Sequence, residues 1–269
     1  MQNVKIILYL KAKANHAYPS RYHRDMHGMI LHHVPDKIIE QSKQGETDDP
    51  LGISFTQLLP WRDIEKGDTR KIVINSTTPE IAKHIVKSLS TKSEIHIGEL
   101  TFDIQGVDQA VTEVGDVGTT GTIESDTGIL VSIPPDRTDE FEISNPGEYD
   151  YYWSEDDPVN VFNQRIKENL ETKWSALHPD SNQGPQTLNG PIFTQQELLK
   201  TYSLPIKVSQ NHTETVVLSK WRFKYEIRNK AHKNTLNLAL GAGLGEKNNF
   251  SLGTVSLTGK QEPYLTTPE

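Results

Sequence analysis

The stretch RKIVINSTTPEIAKHIVKSLSTKSEIHIGELTFDIQ (70–105) decides the fold, because it contains a strand, a helix and a strand in succession. The run 70–76 is rich in β-branched residues, which is typical of a strand. Thr78, Pro79 and Glu80 then supply a capping hydroxyl and a proline at the first turn of a helix. The buried stripe of this helix comprises Ile81, Ile85, Val86 and Leu89, and 94–105 closes the unit as a strand.

The segments before this stretch complete the same unit. Alternating residues predict a half-buried first strand, with Val4, Ile6, Leu8 and Leu10 on one side. A first helix follows, in which Ser20 can be the cap and one face carries Tyr22, Met26, Met29, Ile30 and His33. The segments 52–60 and 70–76 predict a hairpin. The order is β-α-β-β-α-β, the ferredoxin-like unit, in which two helices cover one face of a four-stranded sheet.

The second half of the chain predicts the same element order. We expect strands at 128–135, 204–210, 215–228 and 252–257, with helices at about 157–177 and 231–240. The sequence therefore predicts an α+β protein of tandem ferredoxin-like (RRM-like) domains. Residues 1–106 form the first domain, 107–127 an acidic glycine-rich linker, and 128–269 the second domain with a glycine-rich loop.

Composition restricts the class of protein. The absence of cysteine excludes a disulfide framework, thiolate zinc sites and a cysteine nucleophile. The first sixteen residues carry a short apolar run interrupted by lysines, without a cleavage-site pattern, and no stretch is long enough to span a membrane, so we expect a cytoplasmic protein.

The charge is unevenly distributed along the chain. The formal net charge is −8, yet residues 97–160 hold sixteen Asp or Glu and one Arg, whereas residues 200–247 hold nine Lys or Arg and three Glu. An acidic protein of this kind can carry a local basic face for a polyanion. The alternative is that the acidic part serves solubility or adaptation to salt.

The strand at 215–228 carries the most informative alternation. One face is apolar, with Val217, Trp221, Phe223, Tyr225 and Ile227. The other face is cationic, with Lys220, Arg222, Lys224 and Arg228. Same-face neighbours on a strand lie roughly 6.6 Å apart, which is comparable with the spacing of phosphates along a single strand of nucleic acid. This face is either a nucleic-acid-binding surface or an ordinary solvated strand face.

The stretch GLGEKNNFSLGTV (243–255) is unusually rich in glycine. A dinucleotide fingerprint would follow a strand and open a helix, whereas these glycines follow a helix and precede a strand. Gly241 or Gly243 can end the helix without a ligand. Because Gly245 and Gly253 exceed that need and Lys247 and Asn248 lie between them, we interpret the loop as a backbone cradle for a nucleic-acid phosphate.

This order of elements resembles the CRISPR-repeat-processing endoribonucleases, the Cas-six family of repeat-associated RNA-binding proteins. The residues that match the glycine-rich signature of that family are Gly243, Gly245, Glu246, Lys247, Asn248 and Gly253, with Ser251 where another glycine is common. The segments 18–34 and 53–61 are similar to the first helix and second strand of the family.

The resemblance implies a metal-independent cut within CRISPR repeat RNA, with no cofactor, by attack of the ribose 2′-hydroxyl on the adjacent phosphate. It implies a catalytic histidine after the first helix, but the loop QSKQGETDD (41–49) has none. We therefore predict His32 and His33 as catalytic, with Lys43 as the cation; His23 and His27 remain alternatives. Other subunits of a CRISPR interference complex are possible partners.

Two other functions remain open from the sequence. The first is a non-catalytic subunit that only holds the repeat RNA. The second, which the reversed order of helix, glycines and strand disfavours, is a nucleotide-binding enzyme.

Overall fold

The structure is a computed structural model, and it describes residues 2–18, 22–42, 51–143, 150–207 and 213–259. The first unit begins with β1 (Asn3–Ala12), α1 (His23–Leu31), α2 (Asp36–Ser42) and β2 (Ile53–Phe55). It continues with β3 (Thr69–Ser76), α3 (Pro79–Ser90), β4 (Glu94–Ile97) and β5 (Leu100–Thr112). Its antiparallel sheet has the order β2-β3-β1-β5-β4. Alternate β1 residues from Ile6 to Leu10 are fully buried, as the period-2 pattern predicted.

The second unit repeats that strand order. Its elements are β6 (Thr120–Ser125), β7 (Ser132–Ile133), β8 (Tyr151–Tyr152), α4 (Val159–Leu177), β9 (Gln195–Lys207), β10 (Thr213–Glu226), α5 (Lys230–Ala242) and β11 (Val255–Thr258). Short 3-10 turns lie at Pro135–Arg137, Pro185–Thr187 and Asn248–Phe250. The four-stranded sheet has the order β11-β6-β10-β9, which corresponds to β5-β1-β3-β2 of the first unit. The predicted tandem ferredoxin-like fold is confirmed.

Two strand predictions are wrong. The first strand of the second unit is β6 and not 128–135, because β6 pairs with both β10 and β11 while only Ser132–Ile133 forms a strand in the predicted segment. The segment 94–105 is not one strand, because the chain turns at Gly98 (φ +59°) and β4 pairs back on β5. β5 and β6 both enter the range 107–127 that we assigned to a linker, and the division into two domains stays a prediction.

Each unit has its own apolar core, and the two units are in contact. The first core lies between its sheet and helices α1 and α3, and the second lies between β10, α4 and α5. The Asn3 side chain donates from Nδ2 to the Asn237 carbonyl (2.6 Å), which joins β1 to α5. Thr254 Oγ1 donates to the Phe55 carbonyl (2.8 Å), which joins the end of the glycine-rich stretch to β2. Within the described residues, no helix is long and apolar enough to cross a membrane.

Candidate functional site

The glycine-rich loop folds back on the protein's own backbone. Gly243, Gly245 and Gly253 all have positive φ, between +63° and +81°. A Cβ added at Gly245 would lie 2.2 Å from the carbonyl oxygen of Leu130. A Cβ at Gly253 would lie 1.9 Å from the carbonyl oxygen of Leu244. Gly245 and Gly253 are therefore both required for the folding of the loop itself, and the prediction that they exceed this requirement is wrong. Contact of the loop with RNA stays a prediction.

A buried lysine from α4 holds this loop in place. Lys173 is 4% exposed, and its ammonium donates to the carbonyls of Gly243 (3.1 Å) and Gly245 (2.9 Å). It also donates to Asn248 Oδ1 (2.5 Å). Three oxygen acceptors at this range satisfy an ammonium group that has left water. No local pattern indicates this role of Lys173, because it is one of two lysines on α4 and its acceptors lie 70 to 75 residues away along the chain.

The polar residues predicted to bind RNA from this loop have partners inside the protein. Asn248 is fully buried, and its Nδ2 donates to the carbonyls of Leu244 and Leu252, both at 3.0 Å. Lys247 Nζ donates to Glu214 Oε2 (2.9 Å) in a partly exposed ion pair. The loop is therefore held in one conformation by contacts within the protein. Of Asn248 and Lys247, Lys247 is the residue that an RNA phosphate could reach.

The first half of α1 packs against the 3-10 turn of the glycine-rich loop. His23 donates from Nδ1 to the Phe250 carbonyl and His27 donates from Nδ1 to the Asn249 carbonyl, both at 2.8 Å. The His27 ring stacks on the Phe250 ring, with 5.3 Å between centroids and 4° between planes. Burial lowers the pKa of His23 to about 4 and also lowers the pKa of His27. Both rings are therefore neutral at pH 7, with the proton fixed on Nδ1 and the lone pair on Nε2.

The histidines predicted to be catalytic lie at the other end of α1. His32 is exposed at the helix C-terminus, and its ring meets that of His33 edge-on at 5.4 Å. His33 is 6% exposed and shares a hydrogen bond (2.7 Å) with Ser88 Oγ of α3. Burial, followed by the charges of His32 and Lys92, lowers the pKa of His33 to about 4. This packed position agrees with the helical spacing, which places His33 on the apolar face of the first helix. Lys43 lies outside the described residues.

The cationic strand face is only partly free of counter-charge. Lys220, Arg222 and Lys224 alternate on β10 with the buried Trp221, Phe223 and Tyr225, as predicted. Before the irregularity at Lys220 the prediction is wrong, because Val216 and Leu218 are fully buried and Val217 is only partly buried. Arg222 pairs with Glu124 (3.0 Å) on β6 and with Glu197 (2.9 Å) on β9. Lys220 donates to the Asp126 carbonyl (2.7 Å).

Arg228 is separate from this face. It lies beyond the end of β10, where its guanidinium donates to the Pro191 carbonyl and its Nε donates to His232 Nδ1 (3.4 Å). The structure therefore brings Lys220, Arg222 and Lys224 together and places Arg228 beside the start of α5.

Metal ligation finds no support in the described part of the chain, where no three His, Asp or Glu side chains are grouped to hold an ion. The four histidines on and after α1 do not converge, because His23 and His27 face the loop while His33 faces α3. The metal-independent reaction stays a prediction.

The fold and this loop match known proteins along almost the entire chain. CRISPR-associated endoribonuclease Cas6 of Haloferax mediterranei is 32% identical over 263 residues, which cover 97% of this chain and 96% of that protein. The chain belongs to the Cas6 family. The family model described as CRISPR associated protein Cas6, C-terminal, matches residues 127–257 and thus includes the glycine-rich loop. The resemblance inferred from the sequence is confirmed.

Two more distant members agree with this assignment to Cas6. CRISPR-associated endoribonuclease Cas6 2 of Methanocaldococcus jannaschii is 22% identical over 207 residues, covering 75% of this chain and 78% of that one. A solved structure of a Cas6-related protein from Pyrococcus furiosus superposes with a TM-score of 0.67 at 17% identity, covering 96% of this chain and 100% of the other. At that identity the structural likeness supports the Cas6 fold alone.

Proposed function

We propose that this protein is an endoribonuclease that cuts CRISPR precursor RNA within its repeats and delivers guide RNA to an interference complex. The observation that carries the proposal is the 32% identity, over nearly all of both chains, to a relative named as a CRISPR-associated endoribonuclease. We place the protein in the cytoplasm, where it would meet its RNA substrate.

The proposed reaction is an internal transfer at one phosphate. The ribose 2′-oxygen forms a bond to the adjacent phosphorus while the bond from phosphorus to the 5′-oxygen of the next nucleotide breaks. A base removes the proton from the 2′-hydroxyl, and an acid protonates the departing 5′-oxygen. The products are a 2′,3′-cyclic phosphate and a 5′-hydroxyl. A cation such as Lys43 would stabilise the charge on the five-coordinate phosphorus.

We assign the proton transfer to His32. A catalytic histidine must reach the RNA from the surface, and His32 is the exposed member of the four histidines on and after α1. His23 and His33 are buried, which favours a packing role for them. The remaining alternative is His27, which is half-buried and has its Nδ1 proton held by the glycine-rich loop.

The test is cleavage of labelled repeat RNA in the presence of a chelator by single alanine variants. We expect His32→Ala to slow cutting by about 10²- to 10⁴-fold, the contribution typical of one acid or base. RNA affinity should change little, because phosphate contacts and proton transfer use different groups. His96→Ala is the control, since His96 is an exposed histidine on β4. Full activity of His32→Ala together with loss of activity in His27→Ala would move the reaction to the glycine-rich loop.

A second candidate function is a non-catalytic subunit that only holds repeat RNA. The observation that favours it is the sequence of the loop 41–49. This loop lacks the histidine that the resemblance of the chain to the Cas6 family leads us to expect. Tight binding of the repeat by the wild-type protein without any cut, with or without divalent ions, would establish this alternative.

A further inference from the structure

Trp61 has an exposure that neither the fold nor the proposed reaction explains. The other three tryptophans, Trp153, Trp174 and Trp221, are each 3% exposed, whereas Trp61 is 48% exposed. It lies in the segment between β2 and β3, and this segment is not part of the proposed catalytic site at His32. A large apolar surface left in water has an unfavourable hydration free energy, and an aromatic ring kept there is an informative exception to burial.

Tyrosines from both units support this indole. Tyr18 of the first unit has its ring centroid 6.0 Å from that of Trp61, and Tyr202 on β9 of the second unit has its centroid at 6.2 Å. Tyr202 also packs against the apolar cluster that contains Leu252 of the glycine-rich stretch. Trp61 therefore lies where the two units meet, one packed side chain away from that stretch.

Two lysines lie beside the aromatic group and repel each other. Lys200 Nζ is 4.9 Å from the ring centroid of Tyr202. Lys200 on β9 is paired in register with Lys220 on β10, and like charges in opposed positions are destabilising. Burial, and then the charge of Lys200, lowers the pKa of Lys220. The charges of Asp126 and Glu124 partly offset this effect at Lys220, and an anion between the two ammonium groups would relieve their mutual repulsion further.

We propose that Trp61 stacks on an unpaired RNA base whose phosphates lie along Lys200 and Lys220. An exposed aromatic ring beside cations is the combination by which proteins hold single-stranded RNA, with stacking for the base and charge for the backbone. A tryptophan can also anchor a protein partner, but two opposed lysines, whose repulsion the nearby carboxylates offset only in part, favour a polyanion. This inference rests on the proposed function, and it adds a base-binding position away from the reacting phosphate.

The test is equilibrium binding of repeat RNA, and of a matched fully paired duplex, to Trp61→Ala. We expect the repeat RNA to bind roughly 5- to 150-fold more weakly, the range for loss of one stacked base, with an unchanged salt slope because no charge is removed. Trp61→Phe should retain most of the affinity, and the duplex should be unaffected. Val117→Ala, which truncates another exposed apolar residue, is the control.

Abasic substitution identifies the base directly. We expect an abasic substitution at one unpaired position of the repeat to weaken binding to the wild-type protein. The same substitution should not weaken binding to Trp61→Ala, because the RNA change and the protein change remove the same contact. RNA binding by Trp61→Ala equal to that of the wild type would overturn the inference while leaving the proposed function intact. Failure of the wild-type protein to bind repeat RNA would overturn the proposed function itself. Equal losses for repeat RNA and duplex would exclude stacking.

Discussion

At the residue scale, the glycines of the loop have a conformational requirement that predicts their effect on stability. Gly253 has φ +63°, and a Cβ there would meet the Leu244 carbonyl at 1.9 Å. We expect Gly253→Ala to lower the free energy of unfolding by about 1–3 kcal/mol, measured by urea denaturation. Gly259→Ala is the control, because Gly259 also has positive φ (+107°) but no atom within 4 Å of an added Cβ. Equal losses for the two variants would contradict the packing requirement.

The buried ammonium of Lys173 gives a second prediction at this scale. Replacement by methionine preserves much of the chain length but leaves the carbonyls of Gly243 and Gly245 without their donor. We expect Lys173→Met to lower the free energy of unfolding by about 2 kcal/mol or more, and to speed amide exchange in the loop. Lys167→Met on the same helix is the matched control, since Lys167 is partly exposed and its ion pair with Glu171 is long, at 3.8 Å. A loss no larger than that of the control would contradict the role of Lys173.

At the element scale, local patterns predicted most helices but failed for the strands at 94–105 and 120–125. α3 begins at Pro79 and α4 ends at Leu177, as expected, because proline and apolar periodicity are local signals. β6 was missed because TGTIES (120–125) has short, polar and acidic residues, and only Ile123 of this strand is fully buried. Its place in the sheet depends on pairing with β10, about 100 residues later.

The candidate site was predictable in composition but not in arrangement. The histidines of α1 and the signature of the loop are visible in the sequence, yet the contact between His23 and Phe250 joins residues 227 positions apart. Helical spacing correctly gave His33 a buried face, but it could not indicate that His27 meets the loop. Such contacts follow from the packing of the two units and not from any local pattern.

The strand β10 supports a prediction about charge. Because Glu197 pairs with Arg222, the carboxylate competes with RNA for the guanidinium. We expect Glu197→Gln to strengthen RNA binding and steepen its salt dependence, and Lys224→Ala to weaken binding with a slope change of about 0.7 for one lost phosphate contact. Binding titrations across a range of salt concentrations measure both. Unchanged slopes in the two variants would mean that this face of β10 is only solvated.

At the scale of the whole molecule, buried neutral histidines link stability to pH. The pKa of His23 is about 4 in the folded protein and has its ordinary value of 6.5 in the unfolded chain, so the unfolded chain binds the proton first as pH falls. The contribution of His23 to the free energy of unfolding is therefore fully present above pH 6.5. It is lost between pH 6.5 and 4, by up to about 3 kcal/mol. Glu168, whose pKa is lowered from 4.5 to about 2, loses its stabilising contribution between pH 4.5 and 2.

Chemical denaturation at pH 7 and pH 4.5 measures this dependence. His23→Gln keeps a side-chain donor for the Phe250 carbonyl and does not titrate, so its stability should fall less between the two pH values. His96→Gln, at an exposed position, should follow the wild type. An equal fall in His23→Gln and the wild type would contradict the assignment to His23.

The last prediction concerns the packing of the two units, on which the site depends because α1 belongs to one and the glycine-rich loop to the other. Gly241 lies in α5 against the first unit, where an added Cβ would be 2.5 Å from Thr77 Cγ2 and 2.6 Å from Asn3 Oδ1. Its carbonyl accepts from Ser54 Oγ (3.1 Å).

Leucine is a better helix former than glycine, so Gly241→Leu favours α5 itself and opposes only the contact between units. We expect a single thermal transition in the wild type and, in Gly241→Leu, a lower or divided transition with loss of cleavage. Gly106→Ala, whose added Cβ would meet only Tyr9 Cδ2 at 3.8 Å, should resemble the wild type. A Gly241→Leu protein that melts at the wild-type midpoint and cuts at the wild-type rate would mean that this contact does not position the site.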